Sequence, residues 1–327
     1  MKKRICCAVL AAVLALCLAG CGRQQPDPED GRLQVVSSLF PYYDFVRAIG
    51  GEHVNSILLV PAGRETHSFE PTPLDVITVS KADVFVYNGG ESEFWVEEIL
   101  GSAGENISTV VRMMDHVDAL EEEIVEGMEG HGHSHDHDHG HEHNEDEHHH
   151  EITYDEHIWT SPVGAKELCR AVCGALCEAD PAHAVDYRAN LEDYLAELDA
   201  LDAEFRSVVD GAQRCTLVFG DRFPLLYFCK TYDLDYRAAF HGCAGDTEPS
   251  LATLKYLIDK VRDEEIPVVY TIELSSRKVA DAIAETTGAQ VAMLHSCQTV
   301  TRQEFDGGAT YLTLMRANLA ALKEGLS

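Results

Sequence analysis

Short apolar runs rich in Val, Ile and Leu, each about the length of a strand, recur along this chain with helix-patterned stretches between them. The first four are LQVVSSLF (33–40), VNSILLVP (54–61), DVFVYNG (83–89) and NISTVVRM (106–113), and helical periodicity falls near 41–50, 72–82 and 92–100. Strand followed by helix, repeated, predicts a parallel sheet covered on both faces. The pattern restarts with TLVFGD (216–221), LDYRAAF (234–240), PVVYTIEL (267–274) and AQVAMLHS (289–296), separated by helical segments near 222–232, 249–264, 276–287 and 307–325. Between the halves, residues 181–210 begin at Pro181 and carry Leu191, Leu195, Leu198, Leu201 and Phe205 at helical spacing, which predicts one long linking helix. The expected architecture is α/β: two small parallel-sheet domains, 32–180 and 211–327, joined by that helix. A helix resists bending, so the joint permits only modest closure.

Two stretches fall outside this alternation. Lys2, Lys3 and Arg4 precede an apolar run from Ile5 to Leu18 that is short for a membrane span, and LAGC (18–21) places small residues before a cysteine. That arrangement reads as an export signal (1–20) cleaved ahead of Cys21, which becomes lipidated and holds the chain to the extracytoplasmic face of the cell membrane. Residues 21–31 are then a polar tether. The second stretch, 131–150, holds ten of the 17 histidines interleaved with Asp and Glu. With almost no apolar residues it cannot bury a core, so a disordered, metal-attracting loop is expected at about 121–151.

Composition narrows the class of partner. A formal net charge of −31, more negative still once the basic leader is removed, argues against nucleic acid and favours cations without selecting one. Of 11 cysteines, Cys169, Cys173 and Cys177 recur every four residues, which on a helix is ordinary core packing. Cys243 and Cys297 each follow a strand-like run, in loops that could meet in a disulfide.

Seven histidines remain outside the rich run, and position sorts them. His67 lies in VPAGRETHSFEPTP after a strand, where open α/β sheets place their ligands. His157 lies in DEHIWTSP, and His295 follows the last strand of the second half. His241 also follows a strand, although a surface role suits it better. His53, His116 and His183 read as loop or helix-end residues.

At PAGRETHSFEPTP and DEHIWTSP the chain resembles the zinc- and manganese-binding solute-binding proteins of ABC transporters. The resemblance runs from LQVVSSLFPYYDFV to YLTLMRANLAALKEGL. It implies a metal site in the cleft between domains, His67 and His157 as the first two ligands, and a permease and ATPase as partners. Where the family supplies a third ligand from the second domain, this chain has Gly220 followed by Asp221. Where the family has an aspartate after the last strand, this chain has His295. The expected ligand set is His67, His157, His295 and Asp221, with Glu65, Glu273 and His241 in reserve. Three nitrogens and one oxygen suit Zn2+, whereas Mn2+, the alternative, favours more carboxylate. No HExxH and no nucleophile constellation is present, so an enzyme is not expected. A metal-binding adhesin or sensor without a transporter is the other reading consistent with a lipid-anchored acidic chain.

Overall fold

The computed structural model describes residues 25–103, 107–128, 153–242 and 248–327. The export signal, Cys21 and the histidine-rich run lie outside these residues. Strands β1 (Leu33–Ser37), β2 (Val54–Leu58), β3 (Val84–Tyr87) and β4 (Thr109–Arg112) form a parallel sheet in the order β2-β1-β3-β4. Strands β5 (Thr216–Phe223), β6 (Asp235–His241), β7 (Val268–Thr271) and β8 (Gln290–Met293) form a second, in the order β6-β5-β7-β8, again parallel throughout. Most strands stop a few residues before their apolar runs do. The surplus becomes loop at the carboxyl ends, as in β1, where Ser37 closes the strand and Phe40 already opens a helix.

In the first sheet α1 (Phe40–Gly50) and α4 (Pro162–Ala179) pack on one face, and α2 (Pro73–Ser80) and α3 (Trp95–Ala103) on the other. The period of two along β1 directs the split: Val35 belongs to one core and Val36 to the other. The helix α4 was not assigned from the sequence beyond its cysteine spacing. Its start is well specified locally, since the Ser161 hydroxyl accepts from the Val163 amide and Pro162 occupies the first helical turn. Cys169 and Cys173 are buried along it as free thiols, which is the packing role expected of them.

The long helix α5 (Ala184–Asp210) follows a 3-10 turn at Pro181–His183. Leu198, Leu201 and Phe205 are fully buried, and they belong to one apolar cluster that reaches from Val35, Val84 and Phe45 in the first half to Leu217, Phe219 and Tyr270 in the second. The two sheets therefore share a core through this helix. On the outer face of the second sheet, Val218 and Val269 pack against Leu257 and Val261 of α7 (Leu251–Asp263) and against Ala280 and Ile283 of α8 (Lys278–Thr287). The chain closes with α9 (Arg302–Asp306) and α10 (Tyr311–Gly325), after α6 (Leu226–Tyr232) earlier in the half.

Polar fastenings cross between the halves. Trp159, wholly buried, donates its indole N–H to the Ser296 carbonyl at 2.8 Å, and the Tyr311 hydroxyl donates to the Trp159 carbonyl at 2.7 Å. The Asp44 carboxylate accepts the Tyr311 amide at 2.7 Å, capping α10 from the opposite domain. The Gly63 amide donates to the Val300 carbonyl at 2.7 Å.

Strand β5 runs two residues beyond its expected end and shifts register between Phe219 and Arg222. Here Gly220 passes so close to α8 that a Cβ on it would fall 2.5 Å from the Ala280 Cα. A side chain at position 220 would collide with α8. We expect Gly220→His to lower stability by about 1–3 kcal/mol or more through overpacking, read as a fall in the thermal midpoint of the metal-free chain. An unchanged midpoint would show that the approach to α8 is not a constraint.

Candidate metal centre

The carboxyl ends of the two sheets lie next to one another, and the loops that leave them carry the candidate residues. His67 sits in the loop after β2, half-buried. His157 sits in the turn ahead of α4 and is 1% exposed. Their rings stand 6.2 Å apart at 53°. Two imidazoles sharing a tetrahedral zinc stand roughly 5 Å apart, given Zn–N bonds of about 2.0–2.1 Å. Drawing these two rings in by about an ångström would let one ion bridge them. Among the described residues no three His, Cys, Asp or Glu side chains stand gathered as a metal cluster.

The hydrogen bonds show which nitrogen each ring can offer. The Asp155 carboxylate accepts both the His157 amide at 2.8 Å and, at 3.2 Å, the ring Nδ1. A carboxylate only accepts, so the proton sits on Nδ1, and Nε2 is left buried without a hydrogen-bond partner. His241, the last residue of β6 and 6% exposed, meets the Glu122 carboxylate through Nδ1 at 2.8 Å. This contact likewise puts the proton on Nδ1. The end of β6 lies beside His157: a Cβ on Gly242, the residue after His241, would come within 2.8 Å of the His157 Cε1. Glycine at 242 is what lets β6 end against that ring.

His295 is arranged the opposite way. Its Nδ1 accepts the Cys297 amide at 2.9 Å, so the proton belongs on Nε2, which faces Glu304 Oε1 of α9 at 3.8 Å. A backbone φ of 63° at Cys297 aims that amide back at the ring. With Nδ1 holding the Cys297 amide, His295 fastens the loop after β8, and its Nε2, like that of His157, is buried without a hydrogen-bond partner.

The other expected carboxylates are also engaged. Asp221 lies within β5 instead of after it, and accepts from the Arg222 amide, the Ile272 amide and the Ser275 hydroxyl at 2.8, 3.2 and 2.7 Å. Its oxygens hold the turn after β7. Glu273 accepts the Ser296 amide at 2.8 Å and the Ser296 hydroxyl. Glu65 pairs with Arg222 across the domains at 3.0 Å. Cys297 is a buried thiol; the expected bridge to Cys243 falls on a residue outside the described ones. Gln298, which sequence reasoning passed over, brings its amide nitrogen to 3.4 Å from His67 Nε2.

Comparison with known proteins bears on what this arrangement serves. Residues 35–325 match the family described as zinc-uptake complex component A, periplasmic. The chain belongs to this zinc-uptake family. It is 32% identical over 322 residues to the high-affinity zinc uptake system protein ZnuA of Bacillus subtilis (strain 168), covering 97% of this chain and 96% of that one. It is 30% identical to the zinc-binding lipoprotein AdcA of Streptococcus pneumoniae serotype 4, spanning 97% of this chain and 60% of that longer protein. The Zn(II)-bound ZnuA-like domain of Streptococcus pneumoniae AdcA superposes with a TM-score of 0.72 at 25% identity, over 90% of this chain and 99% of that domain. The family is one of extracytoplasmic uptake components, with two parallel-sheet domains and a long joining helix.

Within this family member the two neighbouring histidines differ in proton affinity. Burial, reinforced by the charges of His157 and Arg222, pulls the His67 pKa down to about 4. Burial pulls in the same direction at His157, but the Asp155 carboxylate outweighs it and holds that pKa above the ordinary value. His67 is therefore neutral and ready for metal at any pH above about 4, whereas the Asp155 carboxylate favours a second proton on His157, with which an incoming ion competes. Because His67 takes up its proton later than the unfolded chain does, its contribution to stability is lost as pH falls from about 6.5 toward 4. Histidine-resolved NMR titration of the metal-free chain should show the His67 ring neutral down to about pH 4 while His157 is still protonated near pH 6.5. Coincident titration of the two near 6.5 would contradict this account.

Proposed function

We propose that this chain captures zinc outside the cytoplasm and delivers it to the permease and ATPase of an ABC importer, tethered to the membrane by lipid on Cys21. The observation that carries the reading is a buried His157 Nε2 without a hydrogen-bond partner, next to His67, in a member of the zinc-uptake family. The proposed ligands are the ring nitrogens of His67, His157 and His241. This set departs from the expected one: His241 takes the third place, while His295 and Asp221 support loops.

The donor chemistry favours zinc over manganese. Three imidazoles suit a tetrahedral borderline-soft ion, and the carboxylates near them are spent on orienting rings and turns. The zinc named in the relatives' descriptions agrees with that donor set. The fold has the form of a carrier: the halves share one core and are pinned at Trp159, so metal release proceeds through small loop and domain shifts.

The histidine-rich run raises the local supply of ions, and rigid ligands hold the tight site, because a flexible segment must meet a large ordering cost on binding. Deleting 131–150 should remove weakly held ions and leave about one tightly held zinc per chain; loss of the tight site would refute this division. In zinc competition against a chelator, His67→Ala, His157→Ala and His241→Ala should each weaken binding by orders of magnitude. His295→Ala and Asp221→Ala should cost at most the ~10–100-fold typical of groups behind the ligands. A severe His295→Ala with a mild His241→Ala would reverse the assignment.

A further inference from the structure

The stretch expected to be a polar tether is mostly fastened to the first domain. The Gln25 side-chain oxygen lies 3.0 Å from the Thr78 hydroxyl of α2, Pro26 is buried, and the Asp27 amide donates to the Gln34 side-chain oxygen at 2.9 Å. Asp27 then caps a 3-10 turn at Pro28–Asp30. Only residues 22–24 separate this fastened part from Cys21. Four residue steps span at most about 14 Å when fully extended. A lipid-bearing Cys21 therefore stays close to α2, at a distance little greater than the ~10–12 Å diameter of a helix.

Next to Thr78 on α2 begins an apolar flank. A groove of about 600 Å³ runs between α2 and α3, with Phe69, Pro71, Val76, Ile77, Phe94 and Ile99 in its walls. Leu74 and Ile77, one turn apart on α2, are 45% and 46% exposed, and Phe94, where α3 begins, is 73% exposed. Trp95 packs edge-on against Phe69, with ring centroids 5.0 Å apart, and is part of the same wall. Its indole N–H is buried without an acceptor. Single apolar side chains on a surface are ordinary, but three around one groove, beside a donor left unpaired, mark a contact surface.

We infer that the groove between α2 and α3 lies against the phospholipid bilayer that holds the anchor, so that the carrier rests on the membrane by one flank of its first domain. This rests on Cys21 being acylated. The reach of the tether selects the occupant. An acylated cysteine sits in the headgroup layer, roughly 5–8 Å deep on each side of the hydrocarbon, and the short link keeps α2 at that surface. The contact is interfacial, since among the described residues no helix is long and apolar enough to cross a membrane. An indole suits such a place: its ring is apolar, and its N–H finds ester or phosphate oxygens of the lipid.

Charge does not drive the contact. Glu70 and Glu98 also line the groove, and the chain carries −31 overall, so anionic headgroups oppose seating. Three partly exposed side chains are too few to hold a free chain to lipid, and the covalent anchor presents them to it at high effective concentration. Phe69 follows His67 by two residues, so seating this flank also sets how far the metal loop stands from the membrane.

The test places the full acylated chain on phosphatidylcholine vesicles whose acyl chains carry bromine near the ester end, which quenches nearby tryptophan emission. The chain has two tryptophans, and the other, Trp159, is wholly buried between the halves. Expected is quenching of one tryptophan, absent in Trp95→Phe. The double variant Ile77→Glu, Phe94→Glu puts carboxylates at two exposed positions. It should lose the quenching while staying on the vesicles, with melting temperature and zinc affinity unchanged. An acylated, vesicle-bound chain with unquenched emission overturns the inference and leaves the groove to a protein partner. Quenching that survives the double variant overturns it as well. Both of those outcomes leave the anchor standing. A mature chain shown by mass spectrometry to carry no acyl group on Cys21 removes the anchor reading, and this inference with it.

Discussion

Holding an imidazole nitrogen buried and unpaired costs on the order of 1–3 kcal/mol, and His157 Nε2 is held in that condition. Much of the surrounding structure follows from keeping it so. Asp155 fixes the proton on the far side of the ring, Gly242 gives the ring room, and Trp159 two residues on anchors the turn by donating across to Ser296. A side chain that wants a partner and is denied one by its own protein has a place for a ligand. The pull that Asp155 exerts on the ring's proton is part of the same arrangement.

The site is placed at a seam that is firmly closed elsewhere. The loop after β8 carries His295, Cys297 and Gln298, and it is fastened by Glu273, Glu304 and Asn318. That fastening gives Gln298 a fixed position against His67. With an apolar cluster continuous through α5 from one sheet to the other, the halves do not part as independent bodies. Such a carrier discriminates by the chemistry of its donors and by small movements of loops. Wide opening and closing is not available to it.

Several of the residues on which the site relies are ones that patterns do not reveal. Glu122 was hidden in an acidic run and Asp155 in the phrase around His157, although an aspartate two residues before a buried histidine is a signal that could have been followed. His241 had been weighed and ranked low, because nothing in LDYRAAFH says whether the last residue of a strand turns toward a cleft or toward water. His295 was ranked high by its position after the last strand, and that position is as expected; the direction of its lone pair was not legible.

By itself the sequence determined the alternation of strands and helices, the two parallel sheets and the helix between them, because period-two and helical spacing are local and survive without knowledge of partners. It also singled out His67 and His157 as candidates, in loops that resemble those of the family. Tertiary structure alone decided how the rings of the other candidate histidines are held. Proton placement on an imidazole depends on what lies behind the ring, and what lies behind His241 is a glutamate 119 residues away in the chain. The fate of Asp221 was decided in the same way, by backbone amides of a turn it meets only when β5 and β7 come together.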